Sequence, residues 1–101
     1  MKPGWNDALE ATWERYSMGE VELLERRKYP RTVVARQYLW MRLHDTHGWS
    51  FSEIGRYTGF GHVAVLYGVR KARQREEESN ATKIGVHAAV GYQEAEDVET
   101  V

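Results

Sequence analysis

Apolar side chains recur three and four positions apart along most of this chain, the spacing that lines one face of an α-helix. Between Asn6 and Tyr16, Leu9, Trp13 and Tyr16 fall at i, i+4 and i+7, with Asn6 as the N-cap and Asp7 suited to the first turn. The stretch "SMGEVELLERRK" predicts a second helix. Ser17 and Glu20 have capping-box spacing, Val21 and Leu24 share a face, and Pro30 disfavours a helical Tyr29, so this helix ends near Lys28. Pro30 or Arg31 then opens "PRTVVARQYLWMRLHD". Its stripe of Val34, Tyr38 and Met41 is widened by Leu39 and Leu43, the mark of a central helix packed on several sides. "THGWS" closes that helix at Gly48, and Ser50 or Ser52 caps a short one holding Phe51, Ile54 and Tyr57. Gly59 marks a turn. The last helix runs from about Gly61 to about Glu77, with Val65, Leu66, Val69 and Ala72 inward.

Beyond Ser79 the periodicity lapses and the chain closes in an acidic run. That composition reads as a solvated tail, in which "KIGVHAAVGY" is one segment able to dock as a strand or short helix. Nothing along the chain predicts a sheet. The expected fold is all-α, a small helical domain divided into N-terminal helices (1–28) that brace or extend it, a helix-turn-helix (29–78) and an acidic tail (79–101).

Composition narrows the function classes. The 101 residues suit one domain, and 42% hydrophobic with 12% aromatic residues excludes a wholly disordered chain. The absence of cysteine excludes a disulfide framework and a Cys-based zinc site. "MKPGWNDALE" has no apolar run after its Lys, so no signal peptide is expected. No apolar stretch approaches the roughly 18 residues of a membrane span. A cytoplasmic, nucleoid-associated protein of bacterial or phage type is the resulting expectation. The net charge of −1 is unevenly spread. Residues 1–25 carry two basic and six acidic side chains, residues 26–75 eleven basic and two acidic, and residues 76–101 one basic and seven acidic. A basic middle between acidic ends suits a polyanion.

The candidate chemistry is sparse. "HDTH" (44–47) offers two imidazoles and a carboxylate, short of the three or four converging ligands that zinc needs, and it reads as a polar helix end. "GRYTGFG" lacks the Lys of a phosphate loop. No GxSxG context accompanies the serines. The carboxylates Glu76 to Glu78 read as a solvated helix end or as partners of Lys71 and Arg73. Trp13 and Trp40 read as core, and Trp49 as packing a loop onto the central helix. Neither an enzyme nor a cofactor nor a metal is expected.

"EIGRYTGFGHVAVLYGVRK" (53–71) holds the functional signal: a short helix, a Gly turn and a helix that becomes basic. A helix-turn-helix sets the N-terminal end of its second helix in the major groove, where free N–H groups and a positive dipole lie. Lys28, Arg31, Arg56, Arg70 and Lys71 are the expected phosphate contacts. Phe60, Gly61, His62, Val63, Ala64 and Tyr67 form the reading end, with Val63 and Ala64 suited to thymine methyls and His62 to a base edge or phosphate. The expected partner is double-stranded DNA, with a homodimer through the N-terminal helices as a further arrangement. The alternative is a protein-interaction module whose contact face is Phe60, Val63, Ala64 and Tyr67.

"ARQYLWMRLHDTHGWSFSEIGRYTGFGHVAVLYGVRKA" resembles the C-terminal DNA-binding domain of the DnaA replication initiator family, over about residues 28–75. The shared elements are Arg36-Gln37 with Tyr38-Leu39, Glu53-Ile54-Gly55-Arg56, His62, Val65-Leu66 and Arg70-Lys71. The resemblance implies a Trp-repressor-like helical fold, duplex-DNA binding, and a basic residue (Lys28 or Arg31) entering the minor groove. It also suggests transcription regulation or DNA replication as the setting. The family's signature Arg-Asp-His-(Ser or Thr)-Thr-Val falls on residues 60–65 here, where His62 and Val65 are kept. Gly61, Val63 and Ala64 replace the acid and both hydroxyl residues that the family uses on DNA. The family's ATPase domain has no counterpart in this sequence.

Overall fold

The computed structural model describes residues 3–26 and 29–84. Five α-helices follow in order: α1 (Trp5–Tyr16), α2 (Glu20–Leu24), α3 (Pro30–Met41), α4 (Phe51–Thr58) and α5 (His62–Ile84). A single π-helical turn, Arg42–Thr46, prolongs α3. There is no strand among the described residues, and the fold is all-α as the apolar spacing predicts.

α1 starts one residue before its expected cap, so Asn6 lies inside the helix and Gly4, at φ 103°, precedes it. Its buried side is Trp5, Ala8 and Thr12. Trp13, expected in the core, is instead 55% exposed. The reason is the size of the residues on the true face. Ala8 is small, and Thr12 hides its hydroxyl by donating to Ala8 O at 2.8 Å, so the helix settles with Trp5 as its large anchor. Trp5 stacks with Trp49 at 6.1 Å between centroids and meets the Tyr57 ring at 4.7 Å.

The second helix also departs from expectation. Ser17, at φ 57°, closes α1 by donating its N–H to Trp13 O, and does not cap α2. The reciprocal arm of the cap is set two residues later, where Glu22 Oε1 accepts from Gly19 N–H at 2.8 Å. Leu23 is the buried residue and Val21 is exposed. α2 stops at Leu24, well short of Lys28, because its terminal carbonyls, orphaned at any helix end, are taken from outside. Arg36 of α3 donates from Nε to Leu23 O at 2.7 Å and from a terminal nitrogen to Glu25 O.

α3 is the central helix. Tyr29 is extended and Pro30 occupies the first turn, where its missing N–H costs nothing. Thr32, Ala35, Arg36, Tyr38, Leu39 and Trp40 are buried, while Val34 and Met41 are half-buried. α1, α2 and α5 all pack on it, α5 most extensively. After the π-helical turn, Gly48 at φ 75° reverses the chain. Trp49 is then fully buried, with Nε1 donating to Pro3 O at 2.9 Å. The core runs from Trp5, Ala8, Met18 and Leu23 through Ala35, Leu39, Trp40 and Leu43 to Trp49, Ile54, Val65 and Val69.

α5 continues to Ile84, past the boundary expected after residue 78. No Gly or Pro interrupts the chain between Gly68 and Gly85, and two ion pairs brace its middle. Arg73 bonds Asp45, and Arg15 donates to Glu76 at 3.0 Å. From Gly85 onward, which includes most of "KIGVHAAVGY", the chain lies outside the described residues. No helix among the described residues is long and apolar enough to cross a membrane.

Candidate nucleic-acid interface

The turn between α4 and α5 is fixed by its glycines. Ser50 and Glu53 form a full capping box at the start of α4: Glu53 N–H donates to Ser50 Oγ at 3.0 Å, and Ser50 N–H to Glu53 Oε1 at 2.9 Å. At its end Gly59 adopts φ 83°, a conformation that costs a side-chain-bearing residue about 1–2 kcal/mol. Gly59 and Phe60 both donate their N–H to Gly55 O, at 2.8 and 3.0 Å. The turn folds so closely onto α4 that a Cβ on Gly55 would lie 2.6 Å from Phe60 O. One residue later Gly61 O accepts from Val65 N–H at 3.1 Å, and α5 begins.

Two arginines hold this turn. Arg26 donates to Gly59 O, and its guanidinium carbon lies 4.9 Å from the Phe60 ring centroid. Arg36 approaches the same ring at 4.7 Å, while Trp40 meets it edge-on at 5.3 Å. Burial and the neighbouring Arg26 charge pull the Arg36 guanidinium below its ordinary value. Phe60 is thus half-buried and anchors the turn. The sequence placed Arg26 and Arg36 only within its basic middle (26–75), and their clamp on the turn was not legible there. It depends on α2 ending early enough to leave Arg26 beside Gly59.

The reading end is open. His62, Val63 and Ala64 in the first turn of α5 are all exposed, Val63 by 65%. The N–H groups of a first helical turn have no acceptor within the helix. Val63, Tyr67, Arg70 and Gln74 follow at i, i+4, i+7 and i+11 down the exposed side, with Ala64 and Lys71 beside them. Tyr67 is 60% exposed, and Lys71 Nζ lies 5.8 Å from its ring centroid. From His62 to Lys71 the stripe extends about 14 Å at 1.5 Å per residue. On the opposite side Gly68 is buried against α3, and a Cβ there would meet the Trp40 ring at 2.5 Å.

The remaining expected contacts are placed differently. Arg56 on α4 is exposed and, with Ser52, Gly55, Phe60 and His62, lines a concave corner of about 290 Å³ at the helix junction. Arg31 spends a terminal nitrogen on Tyr16 O at 2.6 Å, closing the end of α1. Lys28 lies outside the described residues. A second hollow, of about 250 Å³, runs between α3 and α5 and is lined by Val33, Arg36, Gln37, Trp40, Phe60, Ala64 and Tyr67.

The two histidines and the aspartate of "HDTH" face three different partners. His44 Nδ1 lies 2.7 Å from Trp49 O and its ring stacks on Phe51 at 4.2 Å. Asp45 accepts both Arg73 bonds, Arg73 Nε at 2.9 Å, and those bonds hold its carboxyl below the usual range. His47 Nε2 lies 3.1 Å from Asp7 Oδ2. Among the described residues no three His, Cys, Asp or Glu side chains converge.

Compared with protein-family models, curated proteins and solved structures, the chain matches none of them.

Proposed function

We propose that the chain is a small duplex-DNA-binding protein that presents the first turns of α5 to the major groove. The observation that carries this reading is the junction itself: a tight Gly55–Gly59 turn that leaves His62, Val63 and Ala64 exposed at a positive helix end. Arg56, Arg70 and Lys71 flank that end and are all exposed, the arrangement that phosphate contacts need. The resemblance to the DnaA C-terminal domain supports the same use of these residues, in transcription regulation or in replication. Because Gly61, Val63 and Ala64 carry no polar base-reading groups, direct readout falls to His62 and to apolar contact with thymine methyls. His62→Ala is expected to weaken the selected duplex by about 1–3 kcal/mol, the range of one good base contact, and a scrambled duplex far less. Equal losses on both, in gel shifts at matched salt, would remove His62 from base reading.

A protein-interaction role has its own support in the exposed Val63 and Tyr67 beside the apolar α3–α5 hollow. Salt separates the two readings. DNA affinity falls steeply with ionic strength, whereas an apolar contact persists.

A further inference from the structure

Nothing in base or phosphate contact calls for the apolar hollow between α3 and α5. Its apolar lining is Val33, Trp40, Phe60, Ala64 and Tyr67, and no carboxylate lines it. Two of its aromatic walls each carry a cation. The Arg26 guanidinium carbon lies 4.9 Å from the Phe60 ring centroid, and Lys71 Nζ lies 5.8 Å from that of Tyr67. Both cations are exposed. Arg26 also donates to Gly59 O, just before α5 begins, whereas Lys71 stands about 14 Å along the helix from His62. The two charges therefore flank the hollow toward opposite ends.

We propose that the hollow takes one aromatic side chain of an acidic peptide segment in a partner protein, with carboxylates on either side of that anchor meeting Arg26 and Lys71. The proposal deepens the protein-interaction role and rests on it, and it needs no DNA. At about 250 Å³ the hollow suits one ring and not a whole helix, the kind of buried aromatic anchor that dominates small interfaces. A small molecule with one negative charge would answer only one end, whereas a chain with acids before and after an aromatic residue answers both. Duplex DNA offers phosphates to the cations, but its bases are stacked inside the helix and leave no ring for the hollow without the cost of unstacking. Two polar atoms on lining residues also favour a peptide over a hydrocarbon. Gln37 Oε1 and Trp40 Nε1 are buried and have no hydrogen-bond partner among the described residues, and each peptide unit brings both a donor and an acceptor.

The probe is the blocked peptide Glu-Glu-Ala-Trp-Ala-Glu-Glu, titrated unlabelled into the isotopically labelled full chain at low salt. Extended, its inner glutamates stand about 14 Å apart and its outer ones about 20 Å, which matches the flanking cations. A saturable shift of the Trp40 indole N–H and of the Ala64 and Gly68 amides is expected. Replacing the peptide's Trp by Ala should abolish the shift. Replacing its glutamates by Gln should weaken binding about fivefold to tenfold, a loss that shrinks as salt rises. Lys71→Glu should weaken binding about fivefold, the worth of one exposed ion pair. Ala64→Leu, which fills the hollow from an exposed helix position, should weaken it about tenfold or more. Equal binding of the Gln peptide would overturn the acidic partner and leave the protein-interaction role standing. No saturable shift with either peptide would overturn both. Unimpaired binding by Ala64→Leu would put the peptide elsewhere and overturn the site. A short duplex that shifts the Trp40 indole as strongly as the peptide does would overturn it in favour of nucleic acid at the hollow.

Discussion

Gly55→Ala puts two opposed effects at the junction on which the functional reading depends. In the middle of α4 alanine is favoured over glycine by about 0.8–1.0 kcal/mol. Against that, the new Cβ would lie 2.6 Å from Phe60 O and 3.4 Å from His62 N. The first of these is a backbone atom in a turn tied down by two hydrogen bonds to Gly55 O and by Arg26 on Gly59 O. No flexible side-chain end is available to swing aside, so the turn has to lift by roughly half an ångström. Overpacking of that kind costs about 1–3 kcal/mol, and it outweighs the propensity gain. Subtracting the propensity gain leaves a net loss of up to about 2 kcal/mol, lowering Tm by up to about 16 °C in a domain of this size. Thermal unfolding followed by circular dichroism at 222 nm reads this directly. A variant that melts above the parent would show that propensity alone governs the position and that the turn does not pack on α4 as described.

The other predictions concern single contacts. Gly61→Ser places an N-cap hydroxyl where no atom lies within 4 Å of the new Cβ, and is expected to raise stability by a few tenths of a kcal/mol, seen as a small rise in urea midpoint. Arg36→Met strips donors from Leu23 O and Glu25 O and is expected to cost about 2–4 kcal/mol by urea unfolding, given about 1–3 per buried group left unsatisfied. Asp45→Asn removes the carboxylate that Arg73 stabilises. Its folded pKa is lowered, so its contribution is present above the unfolded value near 3.9 and fades as pH falls through the folded one. The variant should be less stable by no more than about 1 kcal/mol at pH 7, since the pair is partly exposed. It should converge on the parent as pH falls through the lowered folded value.

What could be read in advance followed the type of signal. α4, a serine cap at Ser50 or Ser52, the Gly59 turn and the inward Val65, Val69 and Ala72 were legible, because each is set by residues close in sequence; that Ser50 is the cap and Glu53 its partner was not. In the N-terminal third the two helices were legible, but the buried face of α1 and the end of α2 were not. The face of α1 depends on Thr12 being satisfied within its own helix, and on Trp49 and Tyr57 waiting for Trp5, partners more than forty residues away. The end of α2 depends on Arg36, a residue that charge patterning assigns to the surface. At the candidate site the exposed stripe from His62 to Lys71 was readable by spacing. The Arg26–Phe60–Arg36 clamp was not, since it joins three elements, and neither was the binding of Arg31 to the end of α1.

The proposed duplex-DNA binding, in which exposed cations would meet phosphates, is tested most directly by duplex affinity as a function of salt. With some four or five phosphate contacts from Arg56, Arg70, Lys71 and their neighbours, the logarithm of the binding constant should fall against the logarithm of salt with a slope of about −4. Arg70→Gln and Lys71→Gln should each reduce that slope by about one. Binding that is absent at 50 mM salt, or that ignores salt and both substitutions, would contradict the account.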